Sequence, residues 1–242
     1  MCVVFLVAEI GVNWDGKFDL LEKMLVKSKL SGFDAVKFQS FDYEIVKDHP
    51  ESERLLKSSI SPENIKEVNE LCEKIEIEWF STPMYLKAVD FLKPFVKRFK
   101  IREFDGRELI KNRITPLVKN ILESEKEVIV STEKNPKQCM EFNNQKIKWL
   151  YCVPKYPSDL SDMDFTEIND YNGYSNHCTN IIAPITAGLL GAEIIEIHVT
   201  LSKKMDFIDN NVSFTFEELN QMIKILKDGL KIKTKFNNTT QK

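Results

Sequence analysis

Two histidines, His177 in YSNHCT and His198 in EIIEIHVT, stand about one βα repeat apart, each where a short strand-like run gives way to polar residues. Neighbouring strands could present both toward the same opening. Paired imidazoles are good ligands for manganese, iron or zinc, and Glu9, Glu196 and Asp209 are the nearest carboxylates to hold ligand or water geometry around such an ion. The plainer reading makes His177 a loop hydrogen-bonder and His198 a satisfied strand-end residue. Lys37, between Val36 and Phe38, ends another apolar run. A lysine is costly to bury without a partner, so it calls for a bound anion or carboxylate, or for Glu9 as a structural partner. Lys100 in FKIRE repeats the theme, and with Arg98 and Arg102 beside it one of these basic groups is expected at the surface. Ser81, Thr82, Ser131, Thr132 and Ser175 add neutral donors of the kind that hold phosphate alongside lysine, although hydroxyls at strand ends also serve as caps. His49, in the polar run KDHPESER, reads as an ordinary surface residue.

These groups need a scaffold that brings distant segments together. Eight candidate strands recur along the 242 residues: 3–8, 35–38, 77–80, 98–101, 127–131, 147–152, 172–175 and 193–198. Helix signals lie between them. Leu20, Leu21, Met24 and Leu25 form a stripe closed by Gly32; Ser61-Pro62 precedes Ile65, Val68 and Leu71; Thr115-Pro116 opens another helix; Thr215 and Glu218 match a capping box. Strand and helix in alternation favour a parallel sheet, and eight repeats with no second compositional regime favour a closed (βα)8 TIM barrel over a doubly wound sheet. The expected domain is therefore a single barrel over 1–242, with its chemistry at the C-terminal ends of the strands.

The composition excludes other classes. A formal charge of -3 and basic segments without interleaved aromatics argue against nucleic-acid binding. No run approaches the roughly 18 apolar residues of a membrane span, and MCVVFLVAEIG lacks a basic leader and a cleavage site. Five scattered cysteines, with no CxxC pair, fit buried thiols in a cytoplasmic setting. Phosphate-loop, Rossmann, HExxH and GxSxG motifs are absent.

Taken in order, the strand ends resemble the sialic acid synthase family, enzymes that condense phosphoenolpyruvate with an N-acetylhexosamine-type sugar. AEIGVNWDG is similar to AEIGxNHxG, GFDAVKFQSF to GADAVKFQ, and FSTPMYLKAVDFL to the STPFD region. VIVST is similar to the STG strand, CVPKYPSDLSDMDFTEI to HCxxxYPxxxxxxNLxxI, GYSNHC to GYSDHT, and GAEIIEIHVTLSKKMDFIDNNVSFTFEEL to GAxxIEKHFTLDRxxxGxDHxxSLxPxEL. The likeness spans roughly residues 5–226.

It implies a barrel with a divalent metal, usually manganese, on His177 and His198. Lys37, Thr82, Lys100, Ser131 and Ser175 would bind phosphoenolpyruvate, and Tyr156 would line the pocket. Glu9, Asn13 and Asp209 would address the sugar or the water at the metal, with Glu196 beside them. In that chemistry C3 of phosphoenolpyruvate attacks the polarised aldehyde, water adds at C2 with Glu9 as its base, and phosphate leaves. A phosphoenolpyruvate-independent sugar aldolase or epimerase, and a barrel that binds a sugar or protein partner without condensing it, are the alternatives.

The chain departs from the pattern at Trp14 (usually His), Asn176 (Asp), Glu103 (Ser), Glu133 (Gly) and Lys155 (often Asn). The two added carboxylates would repel a dianionic substrate unless they point away or pair with Lys134 and Lys155. With the sequence running to residue 242, the expectation is that the C-terminal antifreeze-like domain, which in full-length relatives lends an arginine to the partner subunit's sugar site, is absent. A homodimer or a separate partner chain is the expectation in its place.

Overall fold

The computed structural model describes residues 4–240. Cys2 and the start of the first expected strand lie outside the described residues. Eight parallel strands follow one another around a barrel: β1 (Phe5–Glu9), β2 (Ala35–Ser40), β3 (Glu78–Pro83), β4 (Arg98–Ile101), β5 (Glu127–Thr132), β6 (Ile147–Tyr151), β7 (Gly173–Asn176) and β8 (Ile194–Thr200). Each pairs with the next, and β8 pairs back onto β1 with Glu9 opposite His198. The sheet is closed, as the eight apolar runs predict. A two-residue strand, β9 (Phe214–Thr215), adds to the end of β8; the sequence offered no sign of it.

The helices that cover the barrel are α1 (Phe18–Ser31), α2 (Tyr43–Val46), α3 (Ser52–Ser58), α4 (Ile65–Ile75), α5 (Leu86–Leu92), α6 (Glu103–Ile110), α7 (Pro116–Glu123), α8 (Ile182–Leu190) and α9 (Phe216–Thr240). Their buried faces are the apolar stripes read from the sequence, such as Leu21, Met24 and Leu25 on α1, and they pack on the outward residues of the strands. Thr115 caps α7 by accepting the Val118 N–H at 3.2 Å. Before α9, the Glu218 side chain accepts the Thr215 N–H while the Thr215 hydroxyl accepts the Glu218 N–H. One expected start moves: α4 begins at Ile65 rather than at Ser61-Pro62, because the Asn64 side chain accepts the Ser61 N–H at 2.9 Å and ties those residues into a turn of their own. The connections after β5 and β6 carry short 3-10 turns, including Pro136–Gln138 and Leu160–Asp162, where a strict repeat would have an α-helix.

Candidate active site

Every strand ends at the same mouth, and side chains two apart along a strand share a face. The inward face of β1 ends at Glu9, of β2 at Lys37 and Gln39, of β3 at Thr82 and Met84, and of β4 at Lys100 and Arg102. Beyond them come Ser131, Cys152, Ser175 with His177, and Glu196 with His198. Together with Glu103, Tyr156 and Asp209 these residues line one cavity of about 250 Å³. Gly11 makes the first loop possible: at φ 52° it turns the chain back so closely that an added Cβ would sit 3.0 Å from a Glu9 oxygen and 3.3 Å from an Asp209 oxygen.

The floor is an ion-pair network. Lys100 Nζ donates to both carboxylate oxygens of Glu196 at 2.8 Å, Ser175 Oγ donates to Glu196 at 2.9 Å, and Lys37 Nζ lies 3.6 Å from the same carboxylate. Lys37 Nζ also lies 2.7 Å from a Glu9 oxygen as an ion pair and donates to the Thr82 hydroxyl at 3.3 Å, and Gln39 donates to the other Glu9 oxygen at 3.0 Å. Burial opposes ionisation of Glu196, but Lys100 and Lys37 outweigh it and hold its carboxyl down at about 2. At Glu9 burial wins over Lys37, and the carboxyl is pushed up to about 7. One carboxylate thus anchors the lysines while the other can hold or release a proton near neutrality.

The imidazoles of His177 and His198 stand with ring centroids 5.7 Å apart, and the Tyr156 ring packs edge-on at 4.8 and 5.6 Å from them. Burial holds both histidines below the usual imidazole range, with the neighbouring ring and Lys37 adding to the effect at His198. The Val153 carbonyl accepts from His177 Nδ1 at 3.1 Å, which leaves Nε2 as a lone-pair donor. His198 Nδ1 is buried without a hydrogen-bond partner, 3.7 Å from an Asp209 carboxylate oxygen. Two neutral imidazoles, one with an unsatisfied nitrogen and a carboxylate at hand, fit a divalent cation. Among the described residues no group of three or more His, Cys, Asp or Glu side chains converges to hold a metal, so the rest of its shell would fall to water and substrate oxygens.

Of the residues singled out from sequence, Glu9, Lys37, Thr82, Lys100, Ser131, Tyr156, Ser175, His177, Glu196, His198 and Asp209 all reach this cavity. Asn13 does not. Its Nδ2 donates to the Val199 carbonyl and Ser213 Oγ, and its Oδ1 accepts the Asp209 N–H, so its amide fixes the loop that carries Asp209. Ser81 and Thr132 lie on the other strand face, where Ser81 pairs with Ser40 and Thr132 accepts the Lys134 N–H. Gln39, Met84 and Arg102 were missed, although each stands two residues beyond a predicted site residue; Cys152 was read only as a buried thiol.

The departures from the family pattern also acquire positions. Trp14 is fully buried and donates to the Ser58 carbonyl at 3.0 Å, and Asn176 bridges Tyr174 and the Cys178 carbonyl. Glu133 faces a separate outer cavity with Tyr151 and Tyr171. Lys155 pairs with Asp162 at 2.8 Å rather than with either added carboxylate. Glu103 does line the main cavity, and its partner is Arg107.

Known proteins resemble this chain in sequence and in fold. The model of the NeuB family matches residues 24–236. An uncharacterized protein of Methanocaldococcus jannaschii is 34% identical over 94% of this chain and 73% of its own length. The pseudaminic acid synthase of Campylobacter jejuni is 27% identical over 93% of this chain and 74% of its own. The crystal structure of an N-acetylneuraminic acid synthetase from Leptospira borgpetersenii superposes with a TM-score of 0.83 at 25% identity, covering 95% of this chain and 85% of that one.

Proposed function

The chain belongs to the NeuB family, and from that premise we propose that it condenses phosphoenolpyruvate with an N-acetylhexosamine-type aldehyde sugar to give a sialic-acid-like 2-keto-3-deoxy acid. The observation that carries this reading is the meeting of two buried lysines and three hydroxyls with a pair of neutral imidazoles in one cavity. An anionic enol phosphate needs the first set; an aldehyde needs an electrophilic catalyst at the second. A divalent cation on His177 and His198, with manganese the first to test, would supply Lewis-acid polarisation of the aldehyde oxygen.

Lys37, Lys100, Thr82, Ser131 and Ser175 bind the carboxylate and phosphate of phosphoenolpyruvate, and Glu196 keeps the two ammonium groups aimed. C3 attacks the aldehyde carbon and C2 takes up water. Glu9, steered by Gln39 and Lys37, removes a proton from that water, while the aldehyde oxygen gains one; loss of phosphate from C2 then leaves the 2-keto group. Asp209 and Tyr156 orient the sugar from the rim. Tyr156 is 43% exposed, which suits completion of the sugar end by a second copy of the chain or a separate partner chain. Four buried free cysteines support a cytoplasmic setting, and among the described residues no helix is long and apolar enough to cross a membrane.

Glu103 on the cavity wall favours one rival, a barrel that binds a sugar without condensing it. The test is phosphate release by manganese-loaded protein given phosphoenolpyruvate and a panel of N-acetylhexosamines. Release that needs both sugar and metal, and disappears in H177A and H198A, supports condensation. Metal binding with no release supports the rival, and sugar turnover without phosphoenolpyruvate would point to an aldolase or epimerase.

A further inference from the structure

The cavity wall carries four carboxylates, Glu9, Glu103, Glu196 and Asp209, against Lys37, Lys100 and Arg102. Glu9 and Glu196 are matched by the two lysines. Glu103 is not matched from inside the cavity. It is the first residue of α6, its side chain is only 10% exposed, and Arg107 one turn later grips it from outside: Nε donates to the two carboxylate oxygens at 3.2 and 3.1 Å, and Nη2 donates to Oε2 as well. Arg107 does not line the cavity. Its guanidinium is steadied by the Phe104 ring at 5.8 Å, which Arg102 flanks at 5.1 Å, and Glu133 and Glu108 add attraction at longer range. Arg102 is engaged elsewhere, donating to Asp105 at 2.7 Å.

We propose that Glu103 and Arg107 work as one unit at the anion end of the cavity, with Arg107 acting from outside as the positioning residue that lets a phosphate-bearing substrate enter past Glu103. An uncompensated carboxylate on the same cavity wall as Lys100, Ser131 and Ser175 repels a phosphate. A bidentate guanidinium offsets that charge and occupies both carboxylate oxygens. The inference rests on the phosphoenolpyruvate reading above.

Binding of phosphoenolpyruvate to the manganese-loaded protein by titration calorimetry, without sugar, tests it in wild type, R107A, R107K, E103S and E103S/R107A. Inorganic phosphate serves as a second probe, and thermal melting confirms folding. R107A weakens phosphoenolpyruvate binding by at least about tenfold, the scale of one uncompensated charge near a protein surface, and raises its KM while the KM for sugar stays within about twofold. R107K keeps most of the affinity, E103S binds as tightly as wild type or tighter, and the double variant returns to the E103S value. Unchanged binding in R107A, or a double variant as weak as R107A, overturns the inference and leaves the condensation reading intact. A wild type that ignores phosphoenolpyruvate while E103S binds it and inorganic phosphate overturns the inference together with the condensation reading, since Glu103 is then a barrier that Arg107 does not lift. Failure of both proteins to bind either probe overturns both.

Discussion

Replacing Lys100 by methionine probes the ion-pair network directly, because it keeps most of the unbranched stem and removes the ammonium group with its charge and its hydrogen bonds. Lys100 is 2% exposed and contacts both oxygens of Glu196 at 2.8 Å. At that separation the gross attraction is about 6 kcal/mol with an effective dielectric constant of about 20. What remains for Glu196 is the Ser175 hydroxyl at 2.9 Å and Lys37 at 3.6 Å, already engaged by Glu9 at 2.7 Å. Loss of one member of a buried pair costs about 3–5 kcal/mol, since the other is left uncompensated. K100M is therefore expected to lose about 3 kcal/mol or more in urea unfolding at neutral pH with chelator present. E196Q strands the lysine and is also destabilised, whereas K100M/E196Q recovers much of both losses, with a coupling of about 2 kcal/mol or more. A K100M loss under about 1 kcal/mol, or single losses that simply add in the double variant, would refute the view that this pair is a desolvated unit.

Gly106 is where α6 presses on β5: a Cβ there would lie 2.1 Å from the Ser131 carbonyl oxygen. G106A should lose about 1–2 kcal/mol net, because overpacking costs more than the roughly 1 kcal/mol of helix propensity it gains, and phosphate release should fall as Ser131 and Glu103 shift; a variant as stable and active as wild type would count against this packing. W14F deletes the bond to the Ser58 carbonyl and should cost about 1–3 kcal/mol in the same unfolding assay, while phosphate release by the folded variant stays near wild type because Trp14 lies outside the cavity lining. Burial pushes the Cys72 thiol far above the ordinary range. Iodoacetamide at pH 8 should leave Cys72 unmodified in native protein and label it after unfolding, read by site-resolved mass spectrometry; rapid native labelling would contradict its burial.

The barrel was legible because each strand is a run of four to seven residues whose neighbours change character abruptly, and the count of eight sufficed for closure. The site was legible to the extent that polar groups end those runs. Alternation along a strand sharpens the reading: once Lys37, Thr82 and Lys100 are taken as inward, Gln39, Met84 and Arg102 follow, while Ser81 and Thr132 face away. Asn13 escaped this logic, since it lies beyond β1 in a loop with no such alternation, and its partners are Val199, Asp209 and Ser213. The polar run that forms α2 and α3 gave no signal because those helices are short and bury only isolated apolar residues, Val46 and Leu55, in a small cluster with Val12 and Phe41, alongside contacts such as Arg54 with Asp15 at 2.8 Å. Glu103 looked like a charge facing an anion; the i,i+4 spacing of Glu103 and Arg107 in EFDGR is a local pairing signal, but it has meaning only on a helix, and no apolar stripe marked α6.

Asn13 has a consequence for biosynthesis. Its side chain reaches across 186 to 200 positions of chain to hold the backbone around Asp209. During vectorial synthesis the early strands can collapse against one another while the ribosome is still working, but this rim cannot be stitched until the last repeat emerges. Nascent chains stalled before the codon for Asp209 would carry an unfinished mouth, so competence should arrive late and all at once rather than growing repeat by repeat.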